Sequence, residues 1–133
     1  IDVDVPETLD AAYILEKSPT GKGPLLELPN GGGVIFESYT IARYIAKIRG
    51  DTGLMGKNLM EGAIIDSWLD WCANTLEIPT CIWWYPVAGY TSFQLSAYEM
   101  AKADVTRALT TLNHCLKNKI YLVGDQITLA DIT

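Results

Sequence analysis

The sequence predicts two modules in series, a small α/β unit followed by an all-helical one, and three observations carry that reading. Two short apolar runs, Leu25 to Leu28 and Val34 to Phe36, flank Pro29-Asn30-Gly31-Gly32-Gly33 and lead into a helical repeat beginning at Ser38. That is the pattern of an antiparallel hairpin delivered into a helix. From Asn58 onward the apolar residues return at helical spacing. Between the two regimes, Arg49-Gly50-Asp51-Thr52-Gly53 interrupts the periodicity. The expected division is residues 1–48, a linker at 49–57, and a helical module at 58–133.

Taken in order, Ile1-Asp2-Val3-Asp4-Val5 alternates apolar and acidic residues and reads as a half-exposed strand ended by Pro6. Glu7 to Lys17 places Leu9, Ala12, Tyr13 and Leu15 in a weak helical pattern closed by Ser18-Pro19. After the hairpin, Ile41, Ala42, Ile45 and Ile48 form the stripe of a helix with Ser38 as its predicted N-cap. Leu59 to Leu76 gives a broad apolar face of Ile64, Ile65, Trp68, Trp71, Cys72 and Leu76, with the two tryptophans expected in the core. Glu77 to Pro86, with two prolines and Trp83-Trp84-Tyr85, reads as a bend or a broken helix. These three aromatics either form an interaction patch or pack beneath the bend, and packing is the expectation. Gln94 to Lys117 is the clearest helix, with Ala101, Val105, Ala108, Leu109, Leu112, Cys115 and Leu116 in one stripe. Thr128 and Asp131 have the spacing of a capping box opening a last helix.

Composition narrows the function classes. The 133 residues are 49% hydrophobic and 20% charged, an ordinary globular balance. A net charge of -6 argues against a broad nucleic-acid or anionic-membrane surface. Three dispersed cysteines, Cys72, Cys81 and Cys115, fit reduced thiols better than a disulfide framework or a zinc site. With His114 as the single histidine there is no metal cluster and no His-based triad. No apolar run reaches transmembrane length and no signal-peptide pattern is present. Arg49-Gly50-Asp51 matches an adhesion motif by its letters only.

The candidate site lies where the second strand meets its helix. A helix N-terminus attracts anions through its unpaired amides and the aligned peptide dipoles. Glu37 beside Ser38 can therefore cradle a small zwitterion, whose carboxylate takes the amide end and whose ammonium takes Glu37. The alternative is a cap serine preceded by a solvent-facing acid.

The run GK-x-P, the two short strands, Glu37-Ser38 and the IARYIA helix resemble the second half of the thioredoxin-like domain of the glutathione transferase superfamily. YLVGDQITLADIT resembles the capping box that organises the helical domain of the same fold. The resemblance implies a glutathione transferase fold: a thioredoxin-like α/β N-terminal domain, partial and lacking its first strand, and a truncated all-α C-terminal domain. It implies that Pro24 follows a cis bond, that Gly23 and Pro24 face the cysteinyl part of glutathione, and that Glu37 and Ser38 hold the γ-glutamyl end. The catalytic residue of such a fold is expected upstream of Ile1, so the chain reads as a fragment. Gly23 departs from the bulkier apolar residue usual before that proline. Together with the W-L-D-W helix and the WWYP bend, these motifs are most similar to the gamma-subunit family of eukaryotic translation elongation factor 1B. That likeness implies a cytoplasmic scaffold without a required cofactor. It implies the nucleotide-exchange subunit as partner, with aminoacyl-tRNA synthetases and a second copy in a homodimer as further candidates. A true glutathione transferase and the appended domain of an aminoacyl-tRNA synthetase are the alternatives.

Overall fold

The computed structural model describes residues 10–133. The expected strand at Ile1 to Val5 and the first part of the expected helix at Glu7 to Lys17 lie outside them. Contacts divide the chain into two compact units, the first ending at Ile48 and the second running Arg49–Thr133.

In the first unit, helix α1 (Ala11–Lys17) is capped by Asp10, whose carboxylate accepts the Ala12 amide at 2.9 Å. Strand β1 (Leu25–Glu27) pairs antiparallel with β2 (Val34–Phe36), Leu26 opposite Ile35. The connection is a single 3-10 turn at Pro29–Gly31, in which Asn30 adopts a left-handed conformation. Asparagine tolerates that region because its short polar side chain bonds locally. Helix α2 (Ser38–Ile48) packs on both strands. Its one buried residue is Ala46, while Ile41 and Ala42 are half-buried and Ile45 and Ile48 are exposed.

The second unit opens with a 3-10 turn at Gly50–Thr52, closed by an Arg49–Asp51 ion pair. Residues of the expected linker are tied to the far end of this unit: the Leu54 carbonyl accepts the Leu129 amide at 2.9 Å and Lys57 Nζ reaches Asp125 at 2.5 Å. Helix α3 (Leu59–Trp71) starts on a reciprocal cap. Asn58 Oδ1 accepts the Glu61 amide and the Glu61 carboxylate accepts the Lys57 amide. Gly56 must be glycine here, since φ is +82° and a Cβ would stand 2.6 Å from Glu61 Cβ.

The expected break at Glu77 to Pro86 takes another form. The backbone stays helical through a wide π turn, Cys72–Glu77, into helix α4 (Ile78–Trp84). Pro79 has no amide to give the preceding turn, and widening that turn accommodates its ring without stopping the helix. The hydroxyl of Thr80 donates to the Leu76 carbonyl at 2.6 Å within this region. The chain turns only after Tyr85, and helix α5 (Leu95–Leu116) packs back along α4.

The core of the second unit is narrower than the stripes predict. Ile65 and Leu69 of α3 are fully buried, and Ala101, Val105 and Ala108 of α5 are buried with them. Trp68 and Trp71, expected in the core, are half-buried and meet edge to face at 5.4 Å. Ile64 and Leu109 of the predicted faces are exposed. Helix α6 (Leu129–Ile132) packs on α3 and carries the predicted capping box. The Asp131 carboxylate accepts from the Thr128 amide at 2.8 Å, the Thr128 hydroxyl at 3.0 Å and the Leu122 amide at 2.8 Å.

Candidate functional site

The hairpin register gathers the four sequence-predicted site residues. Leu25 pairs with Phe36. Gly23 and Pro24 precede β1, and Glu37 and Ser38 follow its antiparallel partner β2, so the four lie at the same end of the hairpin. All four are exposed, at the end of the hairpin where α2 begins. The Gly23–Pro24 peptide is cis.

Ser38 does not occupy the predicted cap position. Helix α2 begins at Ser38, and the Glu37 carbonyl accepts the Ile41 amide at 3.0 Å, so Glu37 is the residue half inside the helix. Glu37 also has φ +71°, left-handed backbone that L side chains seldom adopt. The physical reason is the length of the connection: β2 ends at Phe36, and one residue must turn the chain from strand to helix. The hairpin end thus presents a carboxylate, a hydroxyl and the first-turn amides of α2 in one place. These can meet an ammonium and a carboxylate of one small ligand. No cluster of three metal-ligating side chains occurs among the described residues.

A second feature lies in the second unit and was missed by the expectation that Trp83, Trp84 and Tyr85 pack beneath a bend. Trp84 and Tyr85 are exposed, and with Tyr90 they form a cluster of rings whose centroids are 5.7–6.0 Å apart. Beside it opens a cavity of about 430 Å³ with walls of Ile78, Ile82, Tyr85 and Tyr98. The Cys81 thiol, hydrogen bonding with Tyr85, holds the phenol above its ordinary pKa. The signal available in the sequence was the absence of any charged residue from Ile78 to Tyr98.

The arrangement of a hairpin, a connecting helix and a helical unit is shared with solved glutathione transferases. Poplar glutathione transferase F1 superposes with a TM-score of 0.79 at 22% identity, over 90% of this chain and 57% of that one. A class Gtt2 glutathione S-transferase of Vibrio parahaemolyticus gives 0.74 at 28% identity, over 99% and 62%. The profile of the glutathione S-transferase C-terminal domain matches residues 80–133. The chain has the glutathione transferase fold.

Its sequence is similar to proteins named elongation factor 1-gamma. A probable elongation factor 1-gamma 1 of Arabidopsis thaliana is 40% identical over 99% of the chain. The elongation factor 1-gamma of Artemia salina is 36% identical over 95% of it. The chain spans about a third of the length of these relatives, 33% of the first and 28% of the second. Among the described residues no helix is long and apolar enough to cross a membrane.

Proposed function

We propose that this chain is the glutathione transferase-like module of a translation elongation factor 1-gamma type protein. In this reading it acts in the cytoplasm as a scaffold that anchors the nucleotide-exchange subunit during aminoacyl-tRNA delivery. The observation that carries the reading is the likeness to elongation factor 1-gamma across nearly the whole chain, in a plant and in an animal alike. Affinity purification of the full-length protein tests it: the exchange subunit is recovered in stoichiometric amount if the reading holds, and its absence overturns it.

Glu37 favours a second activity at the hairpin end. A left-handed, non-glycine residue between a strand and a helix is the kind of local strain that persists at ligand sites. The ligand is glutathione, with its γ-glutamyl end on Glu37 and Ser38 and its cysteinyl backbone on Gly23 and Pro24. Calorimetric titration of glutathione into the full-length protein and its Ser38→Ala variant is the test. Saturable binding weakened by the substitution supports retention of the site, and no heat of binding or an unchanged affinity rejects it.

A further inference from the structure

We propose that Trp84, Tyr85 and Tyr90, at the end of α4 and in the loop that follows it, form an aromatic cage for a quaternary ammonium, the trimethylated lysine side chain of a partner protein. The three rings stand in a triangle. Their centroids are 6.0 Å apart for Trp84 and Tyr85, and 5.7 Å apart for Tyr90 and each of the other two, with the planes tilted by 57–78°. A cation placed about 3.7 Å above the centre of such a triangle is about 5 Å from all three centroids, inside the roughly 6 Å reach of a cation–π contact. The backbone holds the rings in place. The Trp84 carbonyl accepts the Ala88 amide at 3.0 Å and the Tyr85 carbonyl accepts the Tyr90 amide at 2.9 Å, which folds Tyr90 back onto the end of the helix. The Cys81 thiol hydrogen bonds with Tyr85 and steadies its ring. The rings nevertheless stay open to water, with Trp84 52% exposed, Tyr85 40% and Tyr90 71%.

Charge selects the class of ligand. No lysine, arginine or histidine occurs from Ile78 to Ala101, so no cation of this stretch competes for the rings. The chain carries a net charge of -6, and the Glu77 carboxylate is close enough to Tyr85 to act on its phenol. The potential at the rings therefore favours a cation over an anion. A quaternary ammonium suits them best, because π faces attract its charge and it has no N–H bonds to leave unpaired, whereas an unmethylated ammonium gives up water to enter. The cavity of about 430 Å³, which shares Tyr85 as a wall with Ile78, Ile82 and Tyr98, offers the aliphatic stem an apolar surface. A choline lipid carries the same ammonium with a phosphate a few atoms away, and the lack of basic residues here leaves that phosphate without a counter-charge. A lysine side chain brings no such anion, so a methylated protein is the occupant.

Calorimetric titration of the full-length protein tests the cage with three peptides identical but for the central residue. That residue is trimethyllysine, lysine, or the uncharged isostere in which a quaternary carbon replaces the ammonium nitrogen. Saturable binding of the trimethyllysine peptide is expected, with each of the other two weaker by about tenfold or more, the order of a desolvated cation–π contact. Tyr90→Leu keeps an apolar side chain but removes one ring, and is expected to weaken the trimethyllysine peptide about tenfold. Leu59→Ala, at the far end of the helix that runs from α3 into α4, leaves it unchanged. Near-ultraviolet circular dichroism reports whether Tyr90→Leu is folded, and Trp84→Leu takes its place if it is not. Phosphatidylcholine vesicles form the lipid arm and are expected not to retain the protein on sedimentation. No saturable binding up to about 1 mM trimethyllysine peptide overturns the proposal. So does equal affinity for the lysine or the uncharged peptide, an unchanged affinity in the ring-deleted variant, or retention on vesicles that the trimethyllysine peptide reverses.

Discussion

Replacing Asp131 with alanine removes three hydrogen bonds at once from the start of α6, and the surroundings of each donor set the cost. The Thr128 residue is only 2% exposed, so its amide and hydroxyl lose the carboxylate without gaining water. Leaving such buried donors unpaired costs about 1–3 kcal/mol. The Leu122 amide is bonded at an exposed position, where water replaces the carboxylate, and its share is about 0.5–1 kcal/mol. The expected total is about 1.5–4 kcal/mol. Thr128→Ala removes the cap hydroxyl but leaves the carboxylate on two amides, so it costs about 1 kcal/mol, typical of a lost N-cap. All four tryptophans, at 68, 71, 83 and 84, lie in the second unit, so their fluorescence in urea reports that unit. The midpoint falls at unchanged slope if only stability changes. An Asp131→Ala variant within about 0.5 kcal/mol of the native chain, or one less damaging than Thr128→Ala, would refute the reasoning, since unpaired buried donors always carry a cost.

Leu69→Ala empties a fully buried position on α3 and is expected to destabilise the second unit by about 2–5 kcal/mol, read by the same fluorescence; a loss under about 1 kcal/mol contradicts its place in the core. Lys57 beside Asp125 lowers the carboxyl's pKa and is itself raised by it, so the pair's contribution has two pH limits. It is fully present above the ordinary carboxyl value of about 3.9, and it is lost as pH falls through the lower folded value of Asp125. On the alkaline side it is present below about 10.4 and lost as pH rises through the raised value of Lys57. Lys57→Met is therefore less stable than the native chain at neutral pH but converges with it in strong acid, and the difference shrinks with added salt. A difference that grows in acid contradicts the pairing.

What was legible in the sequence is what local chemistry decides alone. The hairpin follows from a glycine-rich turn between apolar runs, and the α6 cap from a threonine and an aspartate three residues apart; both are present, the first as Leu25–Glu27 on Val34–Phe36. The depth of each helix in the core was not legible. Spacing places Ile64 beside Ile65 and Leu109 beside Ala108, but which of each pair is buried depends on how α3 and α5 are rotated against their neighbours. That rotation is fixed by contacts distant in sequence. The segment from Glu77 to Pro86 failed for another reason. Prolines end helices when the backbone cannot adjust, and here the turn before Pro79 widens. Trp84 and Tyr85 then fall on the surface, while Trp83 is half-buried against Tyr98.

The misplaced cap at Ser38 bears directly on the candidate site. A serine before a helical repeat is the residue that local rules choose as N-cap, yet the chain spends that position on Glu37 and accepts left-handed backbone there. Holding a non-glycine residue in that region costs about 1–3 kcal/mol, so glycine would be the better choice for folding alone. Glu37→Gly separates the two roles. If the side chain serves a ligand, the variant is as stable as the native chain or more stable by up to about 1 kcal/mol, because relief of strain offsets glycine's greater entropy loss. Glutathione affinity falls in the same variant. Protection of the α2 amides against hydrogen exchange reads the stability of the first unit, and calorimetry reads the affinity. Loss of α2 protection by more than tenfold shows that the side chain holds the junction together, and the strain argument for a ligand site then fails.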